Sequence, residues 1–120
     1  MPTQPDDGAV SFPDANLEEA IRSAISKPSG SIYPADLESL TTLHASHSEI
    51  SDLTGLEYCV NLNDLDLSHN NIKDIKPLVQ NNGLSSGDTV NVGWNPLGSA
   101  SIDYVKDLVD AGVEVLWGSL

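Results

Sequence analysis

The chain is short of positive charge. It carries 5 Lys and Arg against 18 Asp and Glu, a formal net charge of −13 over 120 residues. A field of that sign repels phosphate backbones and anionic lipid heads, which argues against nucleic acid and membrane surfaces as partners. It favours solubility, and it would attract a basic partner. Cysteine occurs once, at Cys59. One thiol can form no internal disulfide and no cysteine zinc site, so the redox compartment stays open. No apolar run is long enough to span a bilayer, and no membrane insertion is expected. Met1 to Gly8 lacks the charged and apolar regions of a signal peptide. If the protein is exported, its signal is expected to have been removed. There is no Asn-x-Ser/Thr sequon. The hydrophobic fraction, 39%, is ordinary for a folded chain, and the length suits one domain with one core.

Residues 1–10 read as a flexible leader with little to bury. Phe12-Pro13-Asp14 opens a helix, with Pro13 in the first turn, where its missing N–H costs nothing. Leu17, Ala20, Ile21, Ala24 and Ile25 fall at helical spacing and form one apolar stripe. Pro28-Ser29-Gly30 stops that helix, and Tyr33–Leu37 starts a second, short one that runs into Leu40. Residues 11–39 are thus expected to form an N-terminal cap.

A repeat follows. Leu40, Leu43, Ala45, Ile50, Leu53 and Leu56 are matched 22 residues later by Leu62, Leu65, Leu67, Ile72, Ile75 and Leu78. The second copy reads L-x-x-L-x-L-x-x-N-x-I from Leu62 to Ile72, a leucine-rich-repeat signature. In a third copy, Val90, Val92, Asn95 and Leu97 match Leu65, Leu67, Asn70 and Ile72 at an offset of 25, and the Gly83–Asp88 loop absorbs the extra residues. Each L-x-L predicts a short strand with its leucines inward and the intervening residues outward. The Asn turns the chain, and its amide can bond backbone groups of neighbouring coils that no ladder satisfies. One coil cannot bury its own core, so coils must stack. Three coils over 40–97 are expected. Residues 98–117 then predict a C-terminal cap: a helix carrying Ile102, Val105, Leu108 and Val109, N-capped by Ser99 or Ser101 and ended by Gly112, and a last strand Val113–Trp117. Residues 118–120 are a tail.

These segments resemble a family. The helix F-P-D-A-N-L-E-E-A-I-R, the stretch D-L-x-S-L-T-T-L (Asp36–Leu43) and I-S-D-L-T-G-L-E-Y (Ile50–Tyr58) look like the amino-terminal part of bacterial internalin-type leucine-rich-repeat proteins. S-G-D-T-V-N-V-x-x-N-P-L (Ser86–Leu97), with the helix and V-E-V-L-W after it, is similar to the ending of many such arrays. The resemblance implies an α/β fold, a short right-handed solenoid with a parallel concave sheet, an N-terminal helical cap and a C-terminal helix-strand cap. It also implies recognition of a protein partner, in an extracellular or bacterial cell-surface setting. The array is short for the family, whose immunoglobulin-like domain and wall anchor do not occur in these residues. In the first coil Ser48 takes the Asn position and Ala45 the second leucine position, as suits a coil beside a cap.

The residues that could carry chemistry lie on the coils. His47, His69 and Trp94 stand just before the turn residues Ser48, Asn70 and Asn95, so they should form a row with about 4.8 Å between strands. The row reads either as a rim of contact residues or as large side chains covering turn backbone. His44, His47 and His69 could converge with Asp66 on a metal, although residues 44 and 47 tend to face differently. No physiological metal site and no cofactor are therefore expected. Asp64 and Asp66 alternate with Leu65 and Leu67 and should both face outward. Paired carboxylates invite a hydrolase reading, but an open sheet lacks the desolvated pocket that catalysis needs. Cys59, between the inward Leu56 and Leu62, reads as a buried, inert thiol.

The leading expectation is a non-enzymatic, monomeric protein-binding module. Its candidate contact residues are His44, His47, Asp64, Asp66, His69, Asn91 and Trp94, with Thr42, Ser46, Ser68 and Thr89 as further outward positions. The alternative is a structural spacer or scaffold piece of a larger surface protein, or an engineered minimal repeat, with no ligand of its own.

Overall fold

The computed structural model describes residues 8–118. Four three-residue strands form one parallel sheet in the order β1 (Thr42–His44), β2 (Asp64–Asp66), β3 (Thr89–Asn91), β4 (Glu114–Leu116). Leu43 sits opposite Leu65, Leu65 opposite Val90, and Val90 opposite Val115. The register steps are those of the sequence repeat, 22 residues and then 25. The central residue of each of the first three strands is buried and its neighbours face out, because successive side chains alternate between the two sides of a strand. The chain returns from each of the first three strands through a helical segment: a 3₁₀ turn at Leu56–Tyr58, α3 at Lys76–Val79 and α4 at Ser99–Asp110. Leu53, Leu56, Ile72, Ile75 and Leu78 fill the interior between sheet and helices, all essentially without solvent contact. Cys59 is buried with them. Burial, and secondarily the charge of Glu57, pushes its thiol up to about 12.

The asparagines close the coils. Asn70 Oδ1 accepts from the N–H groups of Ser48 and Ile50 at 2.9 and 3.0 Å, and its amide donates to the carbonyls of Ala45, Leu67 and Ser68. Asn95 repeats the pattern one coil on, accepting from Asn70 and Ile72 and donating to Leu67, Val92 and Gly93. Backbone groups in these turns have no ladder partner, and a buried one left open costs about 1–3 kcal/mol. Asn81, which the repeat pattern does not single out, does the same work on the opposite side. Its amide donates to the carbonyls of Leu56 and Cys59, both 2.9 Å away. Beside it Gly83 is obligatory, since a Cβ there would fall on the Val60 carbonyl.

The N-terminal cap begins earlier than the sequence implies. Residues 1–7 of the expected leader lie outside the described residues, but Val10 is buried and donates its N–H to Ile32. Helix α1 (Ala15–Ile25) is capped by Asp14, so Pro13 precedes the helix instead of sitting in its first turn. Leu17 and Ile21 are fully buried, Ala20 and Ile25 partly, and Ala24 faces solvent. The helix ends at Ser26, in a left-handed conformation, before the proline is reached. Arg22 holds that end. It pairs with Glu18 at 2.8 Å and donates to the carbonyls of Lys27 and Gly30. Helix α2 is a single turn, Pro34–Leu37, that stops short of Leu40.

Asp14 also ties the cap to the first coil. One carboxylate oxygen accepts from the N–H groups of Asn16 and Leu17 in α1. The other accepts from the N–H groups of Ser51 and Asp52 and from the Ser51 hydroxyl. In an inner coil the backbone just after the turn meets another coil. Here it meets a helix start; a turn asparagine serves the coil before it, as Asn70 serves Ser48 and Ile50, and before Ser48 stands the cap instead of a coil.

At the other end, neither Ser99 nor Ser101 caps α4. The N-cap is Gly98, and Ser101 is buried inside the first turn. Its hydroxyl donates to the Lys73 carbonyl and accepts from the Ile75 N–H, which stitches α4 to the preceding coil. Val105 and Leu108 carry the helix stripe and Ile102 is half-buried, but Val109 is exposed. Gly112, with a φ of +97°, lets the chain turn out of the helix into β4.

Candidate functional site

The outward face of the sheet is built from two register rows across four strands. Thr42, Asp64, Thr89 and Glu114 form one row, and His44, Asp66, Asn91 and Leu116 the next. Beyond the second row the chain turns over the coil edge, where His47, His69 and Trp94 stand in line. The three rings are stacked. His47 and His69 have centroids 4.3 Å apart and planes within 11°, and His69 and Trp94 have centroids 5.3 Å apart and planes within 8°. All three are exposed, Trp94 at 49%. The row anticipated from the sequence is therefore a ladder on the surface, with its edges open to solvent.

The backbone under the ladder is unusual. His47, His69 and Trp94 have φ of +55°, +58° and +60°. The left-handed region costs a residue with a Cβ about 1–2 kcal/mol, and glycine or asparagine occupies it more easily. Glu49 sits in the same region at +58°. With Asn70 and Asn71 it lines a shallow notch of about 330 Å³ beside the two histidines. The conformation follows from the turn itself. The N–H groups of His47, His69 and Trp94 donate along the coil stack to the carbonyls of Ser68, Gly93 and Gly118.

The remaining candidate residues divide. Asp64 is exposed, and its Oδ2 lies 3.3 Å from His44 Nε2, a diagonal contact between β1 and β2. Asp66 is half-buried. Its Oδ1 accepts from the Ser68 N–H at 3.0 Å and hydroxyl at 2.7 Å. Burial alone would raise the Asp66 pKa. The two bonds from Ser68, with His44 and His69 nearby, hold the carboxyl below its usual value. Asn91 is half-buried and accepts from the Gly93 N–H. Ser68 does not belong to the surface: it is 7% exposed and spends its hydroxyl on Asp66. The convergence of His44, His47 and His69 on Asp66 does not form. His44 turns to Asp64, and His47 stacks on His69. Among the described residues no three His, Cys, Asp or Glu side chains are placed to hold a metal ion.

Sequence reasoning missed the contribution of Glu49 to the notch and of Leu116 to the face. Leu116 is 50% exposed on the outward side of β4. Its signal was available, since it follows the inward Val115 by one, but a strand ending in V-L-W reads as uniformly apolar.

A family profile for leucine-rich repeats in two copies matches residues 38–81. Among solved structures, an internalin (inlF) of Listeria monocytogenes superposes with a TM-score of 0.70 at 29% identity, covering 99% of this chain and 32% of that one. An internalin C2 of the same organism gives 0.65 at 32% identity, over 76% of this chain and 40% of that one. The functional domain of InlJ from Listeria monocytogenes, described as including a cysteine ladder, gives 0.63 at 30%, over 77% and 19%. The chain thus spans less than half the length of these relatives. With one cysteine, it can form no such row of its own.

Proposed function

We propose that this chain, which belongs to the internalin-type leucine-rich-repeat proteins, is a non-enzymatic module that binds a protein partner through its outward sheet face and the ladder beside it. The contact residues are His44, His47, Asp64, Asp66, His69, Asn91 and Trp94. The setting is a bacterial cell surface or the space outside the cell. Among the described residues no helix is long and apolar enough to cross a membrane.

The observation that carries this reading is the ladder. Three large rings occupy left-handed backbone positions that glycine or asparagine adopts at less cost, and they fill no interior. Strain kept at exposed positions is a mark of a functional surface. A stacked, rigid aromatic edge also loses little side-chain entropy when a partner covers it. The open sheet supplies no enclosed pocket for catalysis on the Asp64–Asp66 pair.

The test is affinity capture from the organism that carries the protein and its surroundings, with the intact domain as bait. A genuine partner is lost when His69 and Trp94 are both replaced by Gly, and kept when Asp107 on α4 is replaced by Asn. A partner retained by the ladder variant would move the binding surface elsewhere.

A further inference from the structure

The ladder borders a surface whose charge is one-sided. The chain has five Lys and Arg residues: Arg22, Lys27, Lys73, Lys76 and Lys106. None lies on an outward strand position or in the ladder row. Arg22 and Lys27 are bound to Glu18 and Asp36 in the N-terminal cap. Lys76 and Lys106 lie on α3 and α4, on the return side, and Lys73 follows the turn after Asn70. The sheet face carries Asp64, Asp66 and Glu114. Acidic side chains alone would be a solvated surface. Here they adjoin an exposed ring column that ends in Trp94, which has no ring stacked on its second face among the described residues.

Resting on the binding reading above, we infer that the partner presents arginines at alternate positions of an extended segment laid over Asp64 and Asp66 with its side chains against His69 and Trp94. Spacing selects the segment. Asp64 and Asp66 are two residues apart on one strand, about 7 Å, the same distance that separates alternate side chains of an extended peptide. Glu114 shares a register row with Asp64 two strands away, at about 10 Å, and extends the acidic track across the sheet. Arginine fits better than lysine. Its planar fork pairs with a carboxylate and its flat face lies on an aromatic ring. Asp66 keeps Oδ2 for such a pair while Oδ1 is held by Ser68. A second copy of this chain cannot supply the group, because its single arginine is occupied inside the cap. A neutral sugar is the competing occupant for an aromatic surface, but it would gain nothing from the one-sided charge.

The test is a titration of the ¹⁵N-labelled domain, followed by NMR. The probes are a short Val/Thr peptide with two arginines at alternate positions, the same peptide with glutamines, and a chitin oligosaccharide. The arginine peptide should shift the resonances of Asp64, Asp66, His69 and the Trp94 indole, and added salt should weaken it. Replacing Asp64 and Asp66 by Asn should weaken it on the order of tenfold. The pair Asp103→Asn and Asp107→Asn, with the same change in net charge, should leave it unaltered. Equal loss with both pairs would mean unspecific attraction to the overall charge, and would overturn the inference. So would shifts from the oligosaccharide or the glutamine peptide with none from the arginine peptide, although the face would then remain a binding surface. If no probe moves any face resonance, the arginine inference is overturned. The binding reading then stands or falls on the capture experiment with the ladder variant.

Discussion

Replacing Trp94 by Gly should harm the fold less than replacing it by Ala, the reverse of the usual order. Both changes remove the ring stacked on His69, a contact worth about 0.5–1.5 kcal/mol between aromatic side chains. Trp94 is half-exposed, and the burial it does have is lost alike in both variants. Alanine keeps the Cβ and therefore the cost of a φ near +60°, whereas glycine releases about 1–2 kcal/mol of it. Both variants should lose the burial and the ring contact alike, so the glycine variant should be the more stable of the two by about 1 kcal/mol. At Lys106, exposed within α4, the order should reverse, because glycine in a helix costs about 1 kcal/mol relative to alanine. Urea denaturation followed by far-UV circular dichroism measures both pairs. With a slope of about 1–3 kcal/mol per molar, the Trp94 pair should differ by about 0.3–1 M in midpoint. If Trp94→Ala proves as stable as Trp94→Gly, the position carries no backbone strain, and the main physical support for a surface kept for binding is gone.

Asn70→Ala should destabilise the domain by about 2–3 kcal/mol, because two backbone N–H groups of the turn lose their acceptor at once; a loss below about 0.5 kcal/mol would mean that water replaces the amide. Asp14 titrates against burial, which raises its pKa, but the N–H groups of Ser51, Asp52, Leu17 and Asn16 outweigh it and the net shift is downward. A lowered folded pKa gives stability that is present above the unfolded value and is lost as pH falls through the folded one. Asp14→Asn should therefore flatten the loss of stability below about pH 4, and urea midpoints at pH 7 and pH 3 that fall equally in both proteins would refute this. Cys59 should react with a thiol reagent only on unfolding, since its thiol is buried and raised to about 12; rapid labelling in native buffer would contradict the packing. Light scattering should find a monomer, with Glu114 guarding the open edge of β4.

Much of this fold was legible because a solenoid writes its register into the sequence. The steps of 22 and 25 residues place Leu43, Leu65 and Val90 side by side before any coordinate is known. The alternation that buries Leu65 also turns Asp64 and Asp66 outward. Cap details were harder to read, since each depends on a partner distant in sequence. Asp14 looks like an ordinary helix start, and nothing local announces that it reaches residues 51 and 52. Ser101 looks like a cap, but the Lys73 carbonyl and the Ile75 N–H draw it inward. Ser68 should face out by simple alternation, yet the turn folds it back onto Asp66. At the site, position was legible and conformation was not. The sequence aligns His47, His69 and Trp94, but their left-handed backbone and parallel stacking follow from the turn geometry of consecutive coils.

The asparagine bonds run in one direction, and this has a consequence for synthesis. Asn70 completes the turn at Ser48 and Ile50, and Asn95 completes the turn at Asn70 and Ile72. Each of the first two coils is thus finished by a residue that the ribosome adds some 20–25 positions later. A nascent chain halted after Ile72 would hold the residues of two strands and still lack the acceptor for its second turn. It should stay loosely ordered until Asn95 emerges, so maturation trails translation by about one coil. Unravelling from the carboxyl end should follow the same dependence in reverse, since removing each coil takes away the clasp of the one before it.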